Sequence, residues 1–265
     1  MTNSNRILFL SHGGGPLPLL GDPDHQDMVQ CLKNITTKIK KPSAILIISA
    51  HWEQSTVAIT SGENPNLIYD YSGFPEQSYN VEYPCSGAPL LAHKVHNALK
   101  LAGINSELDE QRGFDHGVFV PLKIMYPEAD IPCVQLSLIN SLDPTEHIKI
   151  GQALKNLSHE NLLLVGSGFT FHNMKAFFSS KTSDLKAMNH SFEQWLLQTC
   201  TDTNMSETER SNRLLNWQSA PSARYCHPRE EHLMPLHICY GAAGRACSEK
   251  FEFKIMNIKS SMYLW

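Results

Sequence analysis

Ile45-Leu46-Ile47-Ile48-Ser49-Ala50-His51-Trp52 is the stretch on which the fold turns. Its apolar run has no polar alternation and ends in a histidine. A strand of that kind is buried on both faces, which places it in the middle of an α/β sheet. Open α/β sheets take their ligands at the carboxyl ends of strands, so His51 is expected in a crevice and not in the core. The pattern recurs. Ile7-Leu8-Phe9-Leu10-Ser11-His12 has the same form, and Leu162-Leu163-Leu164-Val165-Gly166-Ser167 runs through Gly168 to His172. Three apolar strands that deliver histidines to one edge predict a site there. The expected fold is α/β, with a central, mostly parallel mixed sheet flanked by helices and a metal site at the carboxyl ends of its strands.

The 265 residues fit one large domain, and no linker, repeat or low-complexity tract divides them, so residues 1–265 are read as a single domain. A hydrophobic content of 42% with 18% charged residues is that of a folded globular chain. The net charge of −4 gives no ground for a nucleic-acid partner or a membrane surface. Residues 1–6 are polar, with no signal-peptide core, and no apolar run is long enough to span a bilayer. Seven cysteines, without CxxC spacing, read as reduced thiols in a cytoplasmic protein.

Taken in order, Ile7 to Leu10 is a strand that ends at Ser11-His12-Gly13-Gly14-Gly15-Pro16. This turn lacks the lysine of a phosphate loop and the GxGxxG spacing; its glycines instead let backbone approach whatever His12 binds. A helix is expected from Asp22 or Asp24 to about Lys40, and a strand at Val57 to Thr60. Residues 53–87 carry little helix signal, and Tyr69 to Pro84 form an aromatic loop punctuated by Pro and Gly, either a lid or wall or a surface loop packed by its own aromatics. Ala88 to Ala102 is helical, with Leu90, Leu91, Val95, Ala98 and Leu99 on one face. Asp115-His116-Gly117 stands in a turn before a short helix. Ile131 to Leu138 is a strand, and a helix capped by Asp143 or Thr145 runs to about Leu157. Helices follow at Asp184 to Cys200, at Glu207 to Trp217 and after Cys226. Strands at Phe251 to Ile258 and Met262 to Trp265 close the chain.

Imidazole suits both Zn(II) and Fe(II). His12, His51, His172 and His232 are too far apart in sequence for a helical HExxH site, but neighbouring strand ends can bring them together. Glu231 is an alternative ligand to His232, or a base beside it. Structural zinc favours closely spaced cysteines, which this chain lacks, so a catalytic metal is the better reading. His227 is placed to support the site. His25, His93, His96, His147, His159, His190 and His237 read as solvated or packing residues.

Ser11-His12-Gly13-Gly14-Gly15-Pro16, Ser49-Ala50-His51-Trp52, Asp115-His116-Gly117, Ser167-Gly168 with His172-Asn173, and His227-Pro228 with Glu231-His232-Leu233-Met234-Pro235-Leu236 occur in an order that resembles the class III extradiol ring-cleavage dioxygenases. Tyr71-Ser72-Gly73-Phe74-Pro75 and Tyr83-Pro84 extend the resemblance to the 4,5-DOPA dioxygenase extradiol-like branch. The resemblance implies one divalent metal per chain, Fe(II) for activity or Zn(II) as bound. It implies His12, His51 and His232 as ligands. His172 would be acid/base and in some members a further ligand, and His116 a second-sphere histidine facing substrate. The implied reaction is cleavage of a DOPA-like catechol with O2 to a hydroxymuconic semialdehyde. The chain departs from the pattern at Phe119, where many relatives would carry Trp, and at Phe169-Thr170-Phe171, where small residues are expected. A zinc hydrolase and a non-catalytic sensor of phenolic ligands are the competing functions on the same scaffold. Oligomeric state is left open.

Overall fold

The computed structural model describes residues 6–155, 157 and 161–265. The expectations for His159 and for residues 1–5 lie outside them. Among the described residues the strands are β1 (Arg6–Ser11), β2 (Ala44–Gln54), β3 (Val57–Thr60), β4 (Ser106–Asp109), β5 (Cys133–Ile139), β6 (Leu162–Gly168), β7 (Glu249–Ile255) and β8 (Ile258–Leu264). They form one sheet in the order β4-β3-β5-β2-β6-β1-β8-β7. The central run β5-β2-β6-β1 is parallel, as is β3 with β4, whereas β3 meets β5 and β8 meets β1 antiparallel. The expected mixed α/β sheet is therefore the one observed.

β2 occupies the centre because Ile45 to Ile48 have no polar face to give to water, and all four are fully buried. Each such side chain stabilises the fold by about 1.5–3 kcal/mol. The strand runs on past His51 to Gln54, further than the apolar run suggested. Its register against β5 shifts between Ile48 and Glu53, an irregularity in the ladder that spans His51.

The helices are α1 (Gln26–Thr36), α2 (Pro89–Leu101), α3 (His116–Met125), α4 (Pro144–Leu154), α5 (Met174–Phe177), α6 (Ser183–Thr201), α7 (Glu207–Leu215), α8 (Ala223–Cys226) and α9 (Met234–Ala243). Neighbouring residues of β6 show that two helical layers cover opposite faces, since side chains alternate along a strand. A Cβ at Gly166 would meet Pro235 and Cys239 of α9, whereas Ser167 reaches the carbonyl of Gly117 in α3. Neither glycine nor serine is arbitrary here: α9 lies too close to β6 for any larger residue.

Four local expectations change. Asp22 caps a 3-10 turn at Pro23–His25, not α1 itself, by accepting from the Asp24 N–H. Leu90 is 81% exposed; the buried face of α2 is Leu91, Ala92, Val95 and Leu99. His116 is the first residue of α3, not part of a preceding turn. The last two strands pair Ile255 with Ile258 across a two-residue turn, with positive φ at Met256 and Asn257, so the hairpin closes earlier than hydrophobicity alone implied.

Candidate metal centre

β1, β6 and β2 are neighbours, and their carboxyl ends bring His12, His172 and His51 to one place. α3 adds His116 from its first turn, and the segment before α9 adds His232. Ring centroids of His12, His51 and His232 lie 4.8–5.2 Å apart, and His116 lies 3.9 Å from His51. His172 stacks on His232 at 3.4 Å.

An oxygen stands beside Nδ1 of each of these rings. His232 and His172 each donate from Nδ1 to the same oxygen of Glu231, at 2.9 Å. His116 donates to Asp70 Oδ1 at 2.8 Å, and His51 Nδ1 stands 3.6 Å from Asp70 Oδ2. His12 Nδ1 is 2.9 Å from Ser167 Oγ. Pro121 settles which way that last bond runs. It has no N–H to give to the Gly117 carbonyl one helical turn back. Ser167 donates its hydroxyl to that carbonyl instead, so its oxygen can only accept from His12 Nδ1–H. The free lone pair of His12 is then on Nε2.

His12 Nε2 faces His51 Nε2 at 3.0 Å. The Asp70 carboxylate favours a proton on Nδ1 of His51, which leaves a second lone pair aimed at the first. Two such lone pairs repel unless a cation lies between them. A proton is a poor candidate. Burial, reinforced by the neighbouring imidazoles, holds His12 and His51 well below the usual histidine value and lowers His232 to about 3. Neutral, Nδ1-anchored histidines are the form in which imidazole binds divalent metals. Donor atoms of His12, His51 and His116 lie within 4.8 Å of one another, as do those of His172, Glu231 and His232. This donor set fits a divalent metal.

The charges around the rings are fixed. Burial opposes ionisation of Glu231, but hydrogen bonds from His172 and His232 outweigh it and hold the carboxyl well below its usual range. Arg229 is paired with Glu53 at 2.5–2.6 Å and lies 3.4 Å from Glu231 Oε2. Beneath His51, Asp115 accepts from Ser49 at 2.7 Å and from Gln135, and burial raises its pKa. All five histidines line a cavity of about 360 Å³.

A family model described as the catalytic LigB subunit of aromatic ring-opening dioxygenase matches residues 6–263. The chain belongs to this family. It is a class III extradiol dioxygenase of the 4,5-DOPA dioxygenase-like branch, an oxidoreductase that opens aromatic rings. The chain is 40% identical to the dioxygenase tasH of Hapsidospora irregularis, over 89% of this chain and 78% of that one. It is 38% identical to the 4,5-DOPA dioxygenase extradiol of Beta vulgaris, over 91% and 88%. The protein of that name from Escherichia coli is 33% identical, over 89% and 84%. A crystal structure of an uncharacterized Escherichia coli protein superposes with a TM-score of 0.76 at 27% identity, over 98% of this chain and 99% of that one.

The dioxygenase thus gathers every site residue read from the sequence: His12, His51, His116, His172, Glu231 and His232. His227 is not among them. It is fully buried between Phe192 and Trp217, donates from Nε2 to the Thr170 carbonyl at 2.9 Å, and braces the segment that leads to His172. Three contributors escaped the sequence reading. Asp70 sits in the aromatic loop, and only the loop's length hinted at a role. Ser167 closes an apolar strand within a motif, and nothing in the sequence marks its hydroxyl as a partner of His12. His25, read as solvated or packing, lines the cavity and accepts from the Gly14 N–H at 3.1 Å. Among the described residues no helix is long and apolar enough to cross a membrane.

Proposed function

We propose that the dioxygenase cleaves a catechol beside its diol, with O2, to a hydroxymuconic semialdehyde. His12, His51 and His232 hold the metal, Fe(II) for turnover, with Zn(II) able to take the same imidazoles. The reading rests chiefly on the opposed Nε2 atoms of His12 and His51, 3.0 Å apart, in rings whose pKa burial lowers. When bound, the metal supplies Lewis acidity toward the diol oxygens and redox chemistry toward O2. The rest is done by side chains. His172, with Nδ1 fixed on Glu231, takes and returns the diol proton at Nε2. His116, with Nδ1 fixed on Asp70, presents Nε2 to the diol as a hydrogen-bond partner. Tyr71 and Phe74 line one side of the cavity. The names of the relatives make DOPA the first catechol to try.

The reading of residues 1–265 as one catalytic domain is supported by the single sheet that takes in both β1 and β8. The buried free cysteines, among them Cys31, Cys133 and Cys239, suit the reducing cytoplasm.

Oxygen consumption after anaerobic Fe(II) reconstitution tests the reading. Uptake with catechols and a yellow ring-opened product is expected. Protein that holds stoichiometric iron and consumes no oxygen with any catechol would overturn it, and turn attention to zinc-dependent hydrolysis.

A further inference from the structure

Beyond the five clustered histidines, His25 and Tyr71, the cavity is lined by glycines and apolar side chains. Phe74, Phe169, Phe177, Phe178, Ile255 and Met256 supply much of its apolar surface. Among the described residues that line it there is no Lys, Arg, Asp or Glu. The polar side chains that do reach it are already satisfied by the protein. His25 accepts from the Gly14 N–H at Nε2 and donates to Asp22 at 2.8 Å from Nδ1, so neither nitrogen is left for a ligand. Tyr71 donates its hydroxyl to the Ser78 carbonyl at 2.6 Å. Lys181, which follows the Phe177–Phe178 wall, gives its ammonium to the carbonyls of Ala176 and Phe177 at 2.9 and 2.6 Å.

We infer that the dioxygenase takes catechols whose ring substituent is uncharged and apolar, in preference to amino-acid-bearing catechols such as DOPA. The inference rests on the catechol reading above and narrows it. A diol held at the imidazole end leaves its substituent against the phenylalanine wall. There an alkyl or aryl group gains burial, while a carboxylate and an ammonium meet no charged side chain among the lining residues. Two large apolar residues at this wall are unusually open, Phe178 at 76% and Met174 at 52% exposed. An apolar substituent covers them; a zwitterion does not.

The test pairs two readouts on the iron-loaded full chain. One is kcat/KM from oxygen uptake with catechol, 4-methyl-, 4-ethyl- and 4-propylcatechol and L-DOPA. The other is calorimetric binding of the same compounds without oxygen. Each added methylene should raise kcat/KM and affinity about 3-fold. L-DOPA should fall about 30-fold or more below 4-propylcatechol in both. Equal or tighter binding of L-DOPA would overturn the inference even if every compound is cleaved. Tighter binding of the alkylcatechols with no oxygen uptake would leave it standing and remove the dioxygenase reading of the site. Phe178→Arg changes an exposed side chain at the wall without disturbing the core. It should narrow the preference about 10-fold by drawing in the carboxylate of L-DOPA. An unchanged ratio would deny the substituent the seat assigned to it.

Discussion

Gly117 has no room for a methyl group. A Cβ there would stand 2.3 Å from Ser49 Oγ and 3.3 Å from the His51 ring, with Asp115 Oδ1 at 3.1 Å. None of these can retreat freely. Ser49 is held by Asp115, and Asp115 is fully buried among Ser49, Gln135 and Arg112. Gly117→Ala should therefore push His51 away from His12. We expect metal affinity to fall about 10–100-fold, the usual cost of disturbing the support of a ligand, as read by chelator competition. An affinity unchanged from the parent would show that His51 does not depend on this contact. The same residue explains why Asp115-His116-Gly117 was legible as a motif while its workings were not. The histidine announces chemistry. The glycine's reason, close approach across from β2, exists only once the sheet has formed. Asp70 was hidden for a related cause: a carboxylate in a loop carries no periodicity, and only the loop's fold brings it to His116.

At the scale of elements, α6 packs on β8 through a buried acid. Glu193 accepts from Ser261 at 2.8 Å and is fully enclosed, and burial raises its carboxyl to about 7. Its folded pKa lies above its unfolded one. Native protein therefore holds the extra proton between about pH 4.5 and 7, and stability falls as pH rises through that window. Glu193→Gln keeps the shape and discards the charge. It should flatten this slope and stabilise the protein at pH 8 by up to about 3 kcal/mol relative to the parent. Urea unfolding at pH 5 and pH 8 measures both. Parallel pH profiles for parent and variant would remove Glu193 as the cause. Elements of this kind were read well where one signal dominated. The apolar runs of β1, β2 and β6 and the proline-led start of α4 stand where their residues put them. Boundaries moved where tertiary contact decided. β2 continues past His51 because its end still pairs with β5, and the β7–β8 hairpin turns early because Asn257 accepts positive φ.

Across the whole molecule, the centre joins parts of the chain that nothing else brings together: the ends of β1 and β2, the segment after β6, and the residues before α9. The sequence showed which histidines matter through the motifs that carry them. It could not show that Glu231 serves two of them at once, since one carboxylate bridging His172 and His232 depends on β6 and α9 lying side by side. Gly168 secures that adjacency, for a Cβ there would stand 2.1 Å from the His232 carbonyl. A metal held by ligands this far apart in sequence binds only the folded chain, so it must stabilise the fold by mass action. At free metal about 100-fold above its dissociation constant the gain is about 2.7 kcal/mol, which for a chain of this length shifts the melting midpoint by about 5–10 °C. Chelation should lower the midpoint by that amount without unfolding the protein at 25 °C, because the apolar core does not depend on the site. His12→Ala or His51→Ala should abolish the metal-dependent shift, whereas His172→Ala should keep it if that ring only moves protons. Loss of the shift in His172→Ala would make His172 a ligand, and a full shift in His12→Ala would refute the assignment of the centre.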